Sequence, residues 1–193
     1  MAAGNADDGS GVTRRHVVRL AMASWVVAIP LPSAIAHGVV APVAQLFGQD
    51  LGGMAASLLA QWISESRQAI LAAGTQPVPP HIIQRLSGYF PPALLQSVRY
   101  HSDGNTELTL PGLAFQYGDA AAITLVDVVV FHNDADAQVD LKLWAHELTH
   151  VMQYRRWGID GFAARYIADS NTVEREAYGN ADRFVAWRTS ERR

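Results

Sequence analysis

Two histidines four residues apart, His146 and His150, with a glutamate beside the first, lie in a stretch whose apolar residues recur at helical spacing. Four residues of α-helix turn about 400°, so the two imidazoles stack one above the other, about 40° apart around the axis. Both Nε2 atoms can then reach one ion at roughly 2.0–2.1 Å. Glu147 is rotated far enough from that line to touch a water on the ion without ligating it. The stretch Trp144-Ala145-His146-Glu147-Leu148-Thr149-His150-Val151-Met152 alternates apolar and polar residues, as a half-buried helix does. The chain has no cysteine. Disulfides and thiolate ligands are therefore excluded, and a metal must be held by His, Asp or Glu. These donors suit Zn2+, with Glu147 as general base for a water that attacks a peptide bond.

A third ligand must come from elsewhere. A second pair of residues in the pattern HExxHxxGxxH would be Gly and His, but Gln153 and Arg156 stand there. The segment Val173-Glu174-Arg175-Glu176-Ala177-Tyr178-Gly179-Asn180 offers two acids on a following helix. Glu176 is the preferred ligand, because Ala177 leaves room for close helix packing. Asn180, one turn later, is placed to hydrogen-bond a ligand histidine from behind. Glu174 points about 200° away around the helix and is the alternative, so the two cannot easily share one ion. Asp169 and Asp182 are more remote alternatives. Donors to a tetrahedral oxyanion are sought among Tyr154, Tyr166 and Tyr178, each of which can equally be a packing tyrosine. His81, His101 and His132 stand alone and read as surface or structural histidines.

The rest of the chain predicts an α+β domain. Residues from about Val40 to Ala73 read as helix, with Gly52-Gly53 dividing it in two and Leu58, Leu59, Trp62, Ile63, Ile70 and Leu71 on one face. Gln76-Pro77-Val78-Pro79-Pro80 reads as a stiff linker. Short helices follow, around Ile82–Leu86 and from Pro92. Strands are expected over Ser97–His101, Glu107–Leu110, Ala121–Leu125 and Val126–Phe131, with a turn at Asp103-Gly104-Asn105. The last strand, directly before the histidines, is the candidate exposed edge on which an extended peptide would add. A helix from Ala137 to Arg156 carries Val139, Leu143, His146, His150 and Tyr154 on one face and ends at Gly158. A shorter helix runs from Gly161 to Ala168. Ser170-Asn171-Thr172 caps a last one.

At the N-terminus, Arg14-Arg15 precedes a mostly apolar run from Leu20 to Ile35, and Ala34-Ile35-Ala36 is an A-x-A site. Basic, apolar and small-residue regions in that order predict an export signal over residues 1–36, of twin-arginine type. The run is broken by Pro30 and Pro32 and falls short of the roughly 20 apolar residues of a membrane span. The expected product is periplasmic or secreted and begins at His37, with a helical segment over 37–76 and the metal-site domain over 77–193. A formal net charge of −3 without basic blocks argues against nucleic acid as a partner.

His146-Glu147-Leu148-Thr149-His150 followed by Glu176 resembles the gluzincin pattern of thermolysin-type peptidases. From about Pro79 to Phe184 the chain is similar to the eCIS core domain, named after extracellular contractile injection systems. The likeness rests on Leu95-Gln96-Ser97-Val98-Arg99-Tyr100-His101, Gly118-Asp119-Ala120, Val128-Val129-Val130-Phe131 and Ala145-His146-Glu147-Leu148-Thr149-His150-Val151-Met152-Gln153. It implies a minimal zincin-like fold, in which a small sheet precedes the HExxH helix and a glutamate-bearing helix. It also implies zinc, a peptide or protein substrate, and an injection-system or toxin partner. Thermolysin-type enzymes have Asp where Asn180 stands and draw oxyanion contacts from a further helical domain, so here the donor is expected from within. The alternative is a zinc-stabilised binding or assembly module without turnover.

Overall fold

The computed structural model describes the backbone of residues 40–102 and 120–191, and the side chains of 51–102 and 120–191. The export signal over 1–36, the turn at Asp103-Gly104-Asn105 and the strand over Glu107–Leu110 lie outside the described residues.

The valine-rich run Val128–Phe131 (β4) is an interior strand of a small mixed sheet. Its neighbours are β1 (Gln76–Pro77), β2 (Arg99–Ser102) and β3 (Ala122–Leu125), in the order β1-β2-β4-β3. β4 runs parallel to β2, with Arg99 opposite Val128 and Ser102 opposite Phe131. It runs antiparallel to β3, with Ala122 opposite Phe131 and Leu125 opposite Val128. The run over Val126–Phe131 is therefore not the exposed edge. Strand period two sends Val129 and Phe131 into one core and Val128 and Val130 into another. A strand covered on both faces needs the unbroken apolar sequence found here. The edge strands among the described residues are instead β1 and β3. The expected linker forms β1, which pairs with β2 through Gln76 and Tyr100.

The first core holds Ile82 and Leu86 of α2 (Pro80–Leu86), Leu94 and Leu95 of α3 (Pro92–Ser97), and Trp144 and Leu148. The second joins Ile63 and Ile70 of α1 (Val40–Ala73) to Tyr154, Phe162, Tyr166 and Val173. α1 thus shares a core with the sheet. It is one helix, not two, since Gly52 and Gly53 keep helical backbone and each glycine weakens a helix by only about 1 kcal/mol. Its inner face is Ala56, Ala60, Ile63 and Ile70, while Leu58 and Trp62 point outward. Arg67 grips Asp127 in the β3–β4 turn at 2.6 and 3.0 Å.

The helix expected from Ala137 begins later. Asn133 caps a separate short helix, α4 (Asp134–Val139), by accepting from the Asp136 amide. Asp140 then leaves helical geometry, and its carboxylate accepts from the Leu143 amide to open α5 (Leu141–Ser190). Val139 is consequently exposed and does not share the histidine face. α5 is interrupted twice. Gly158 takes φ 70°, ψ 176°, where a left-handed residue favours glycine, and Asp169 takes φ −160°, ψ 83°. Three segments result, over residues 141–157, 159–168 and 170–190. The cap of the third is Asp169, which accepts from the Thr172 amide at 3.1 Å, and not Ser170, Asn171 or Thr172. Among the described residues the architecture is α+β, a four-stranded mixed sheet with helices. Among the described residues, no helix is long and apolar enough to cross a membrane.

Candidate metal centre

The first segment of α5 buries Trp144, Ala145, Leu148 and Val151 against the sheet. That leaves His146 and His150 on the flank facing the third segment. The two rings are 4.8 Å apart between centroids, and their Nε2 atoms approach to 3.1 Å. Two ring nitrogens turned toward one point are what a shared ion requires.

The third segment buries Val173, Ala177, Ala181 and Phe184, the i, i+4, i+8, i+11 stripe of a helix packed on one side. Glu174 lies on one flank of that stripe and Glu176 on the other. Glu174, not the preferred Glu176, reaches the histidines: its Oε2 is 3.3 Å from His146 Nε2 and 3.6 Å from His150 Nε2. Four donors about 2.05 Å from a tetrahedral zinc would stand about 3.3 Å from one another. The spacings of 3.1, 3.3 and 3.6 Å surround that value, and His146, His150 and Glu174 form a group that could hold a metal ion. The second Glu174 oxygen accepts from Tyr166 Oη at 3.1 Å. Glu176 turns instead to Arg156, at 2.8 and 2.9 Å, and to Gln153.

The electrostatics follow from this crowding. Burial works against a charged His150, but hydrogen bonding and charge from Glu174, with the charge of Glu147, raise it to about 9. Burial also opposes ionisation of Glu174. The hydrogen bonds and charges of His146 and His150 overcome that and hold its carboxyl well below the usual range. A carboxylate so held is a ready anionic ligand.

Glu147 is nearly buried, and its Oε2 accepts a hydrogen bond from Thr124 of β3 at 2.8 Å. That edge strand therefore touches the residue next to the first histidine. Tyr154 stacks on Phe162 with ring centroids 4.0 Å apart, and its hydroxyl lies 3.4 Å from the Thr124 carbonyl. Burial raises the Tyr154 hydroxyl above its ordinary pKa. Burial, with the nearby Glu174 charge, does the same for Tyr166. Both remain donors already engaged elsewhere. Tyr178 is the tyrosine beside the pair, its ring 4.4 Å from that of His146.

Asn180 does not support a histidine. Its amide donates to Thr149 Oγ1 at 2.8 Å, and its Oδ1 accepts from Tyr89 at 2.8 Å, which ties the first and third segments together from behind. The partner of His150 is Gln153, with Oε1 2.8 Å from Nδ1. Its place three residues after His150, on the same helical flank, was the available signal. His146 Nδ1 is buried with no partner among the described residues. His81 and His101 are structural, bonded to the carbonyls of Gln138 and Gly74.

Comparison with curated proteins and with solved structures found no match. Residues 77–158 match the family model of the eCIS core domain. That span contains β2, β3, β4, Pro77 of β1 and the histidine pair, while Glu174 lies beyond it. The chain's likeness to the eCIS core domain family is thus shown over residues 77–158, less than half of its length.

Proposed function

We propose that the protein is a zinc-dependent metallopeptidase in which His146, His150 and Glu174 hold the ion and Glu147 is the general base. The observation that supports this most is the convergence of three donor atoms from two segments of α5, with Glu147 one residue from the first. A bound zinc would supply Lewis acidity and lower the pKa of a water. Glu147 takes a proton from the attacking water and passes it to the leaving amine, so that one peptide bond and one water give a carboxylate and an amine. Thr124 holds the Glu147 carboxylate in place. An extended substrate would add along β3, which brings its scissile bond past Thr124. Tyr178, whose ring lies beside that of His146, is the candidate for the oxyanion donor.

A second reading is a metal-stabilised assembly module of a contractile injection or toxin system that does not turn over. The family match favours it, as does the engagement of Tyr154 and Tyr166 within the protein. In either reading the protein is exported after cleavage behind Ala36, and N-terminal sequencing of the exported chain should begin at His37.

Metal analysis with a peptide-library digest separates the two. Under the peptidase reading, wild type and Glu147→Gln both bind stoichiometric zinc, and only wild type cleaves. Zinc in both with cleavage in neither selects the module, and absence of zinc at neutral pH defeats both.

A further inference from the structure

Gln153 and Arg156 occupy the two positions that would carry Gly and His in a longer histidine motif. Both take part in one chain of contacts behind His150. Gln153 is completely buried, and each of its polar atoms is used. The amide nitrogen donates to the Val173 carbonyl at 3.0 Å and to Glu176 Oε2 at 3.0 Å. A backbone carbonyl only accepts, so these partners fix which end of the amide faces them. The Oε1 end is thereby turned to His150 Nδ1 at 2.8 Å.

An amide oxygen cannot donate. Nδ1 of His150 must therefore carry the proton, and in the neutral ring the lone pair falls on Nε2. Nε2 is the atom that faces His146 and Glu174. The Val173 carbonyl belongs to the residue before Glu174, so the same amide also fastens the ligand-bearing third segment to the first. Glu176, held in turn by Arg156, braces the amide from the solvent side. No equivalent partner faces His146 Nδ1 among the described residues.

We propose that Gln153 is the positioning residue of the metal centre: it selects the His150 tautomer that ligates through Nε2 and sets the approach of Glu174, with Glu176 and Arg156 as its brace. This rests on the metal-binding reading above.

The test is Zn2+ affinity of the full chain by competition with a chromophoric chelator. Gln153→Leu keeps the volume and removes both functions, and should bind zinc about 10–100-fold more weakly. Gln153→Glu sets a second carboxylate against Glu176 and should also weaken binding. Combining it with Glu176→Gln turns the opposed carboxylates into a donor–acceptor pair and should recover the part of the loss that comes from their repulsion, while the Val173 carbonyl stays without its donor. A merely space-filling role would give no such rescue. Should Gln153→Leu fail to fold, histidine 15N spectra of zinc-loaded wild type decide the question. They should show His150 protonated at Nδ1 and metal-bound at Nε2. Tight binding by folded Gln153→Leu, or ligation through His150 Nδ1, overturns this inference while leaving the metal site intact. Absence of zinc from wild type overturns the site itself.

Discussion

Glu174 and Glu176 flank the same buried stripe, and the difference between them is one of direction. Glu174 meets two imidazoles, and Glu176 meets an arginine and an amide. Glu174→Gln should therefore weaken zinc binding by more than about 100-fold, since it removes the anionic ligand. Glu176→Gln keeps an acceptor for Gln153 and should cost at most about 10-fold, in the range of outer-shell contacts. Chelator competition on both variants checks this, and the reverse order would return the ligand role to Glu176. The histidine pair was legible in the sequence because an offset of four residues fixes relative direction within one helix. The third ligand was not, because it depends on which flank of a second helix faces the first. The break at Asp169 was legible, between a helix ending at Ala168 and a cap at Ser170-Asn171-Thr172, but the direction the backbone takes through it was not. One clue was present: Tyr178, four residues after Glu174, shares its flank and lies over His146.

At the level of elements, β3 and β4 were legible from their β-branched runs, whereas β1 read as a linker and the neighbours of the strands were not legible. Val126–Phe131 has the same composition whether it lies inside a sheet or at its edge, and only long-range pairing with Arg99–Ser102 places it inside. The turn before it contains a feature that composition argues against. Val126 adopts φ 64°, a left-handed conformation in which a β-branched residue is strained by about 1–3 kcal/mol. The two-residue connection and the grip of Arg67 on Asp127 hold it there. A glycine suits the first position of such a turn. Val126→Gly should raise stability by about 0.5–1 kcal/mol after the added freedom of the unfolded chain is counted, read as a higher urea midpoint with an unchanged slope. A lower midpoint would show that the packing of Val126 against the second core outweighs the strain. The same weighing explains α1: two glycines read as a break, yet helical backbone costs them little beside the burial of Ile63 and Ile70.

For the whole molecule, the metal centre joins parts that the two cores already hold together. His146 and His150 belong to the segment packed on the first core, and Glu174 follows Val173 of the second. An ion bound to the folded state alone stabilises it by about 4 kcal/mol at a thousandfold excess over Kd. Stripping zinc with a chelator should lower Tm in wild type, with a shift that grows with free zinc on titrating it back. Glu174→Gln should show almost none of this dependence. An equal, zinc-independent Tm in wild type and variant would mean that no ion stabilises the fold.

The donor atoms lie between residues 146 and 174 of one stretch of chain, which the breaks at Gly158 and Asp169 interrupt. The loop from His146 to Glu174 is about as long as the one that the parallel pairing of Arg99 with Val128 closes, so the two carry similar chain-closure entropy. The β3–β4 hairpin is the local contact and can form ahead of either. The metal-holding unit and the β2–β4 pairing are thus closed by separate loops of the chain, and neither has to wait for the other. Thr124 on Glu147 then couples that unit to the sheet only once β3 has docked.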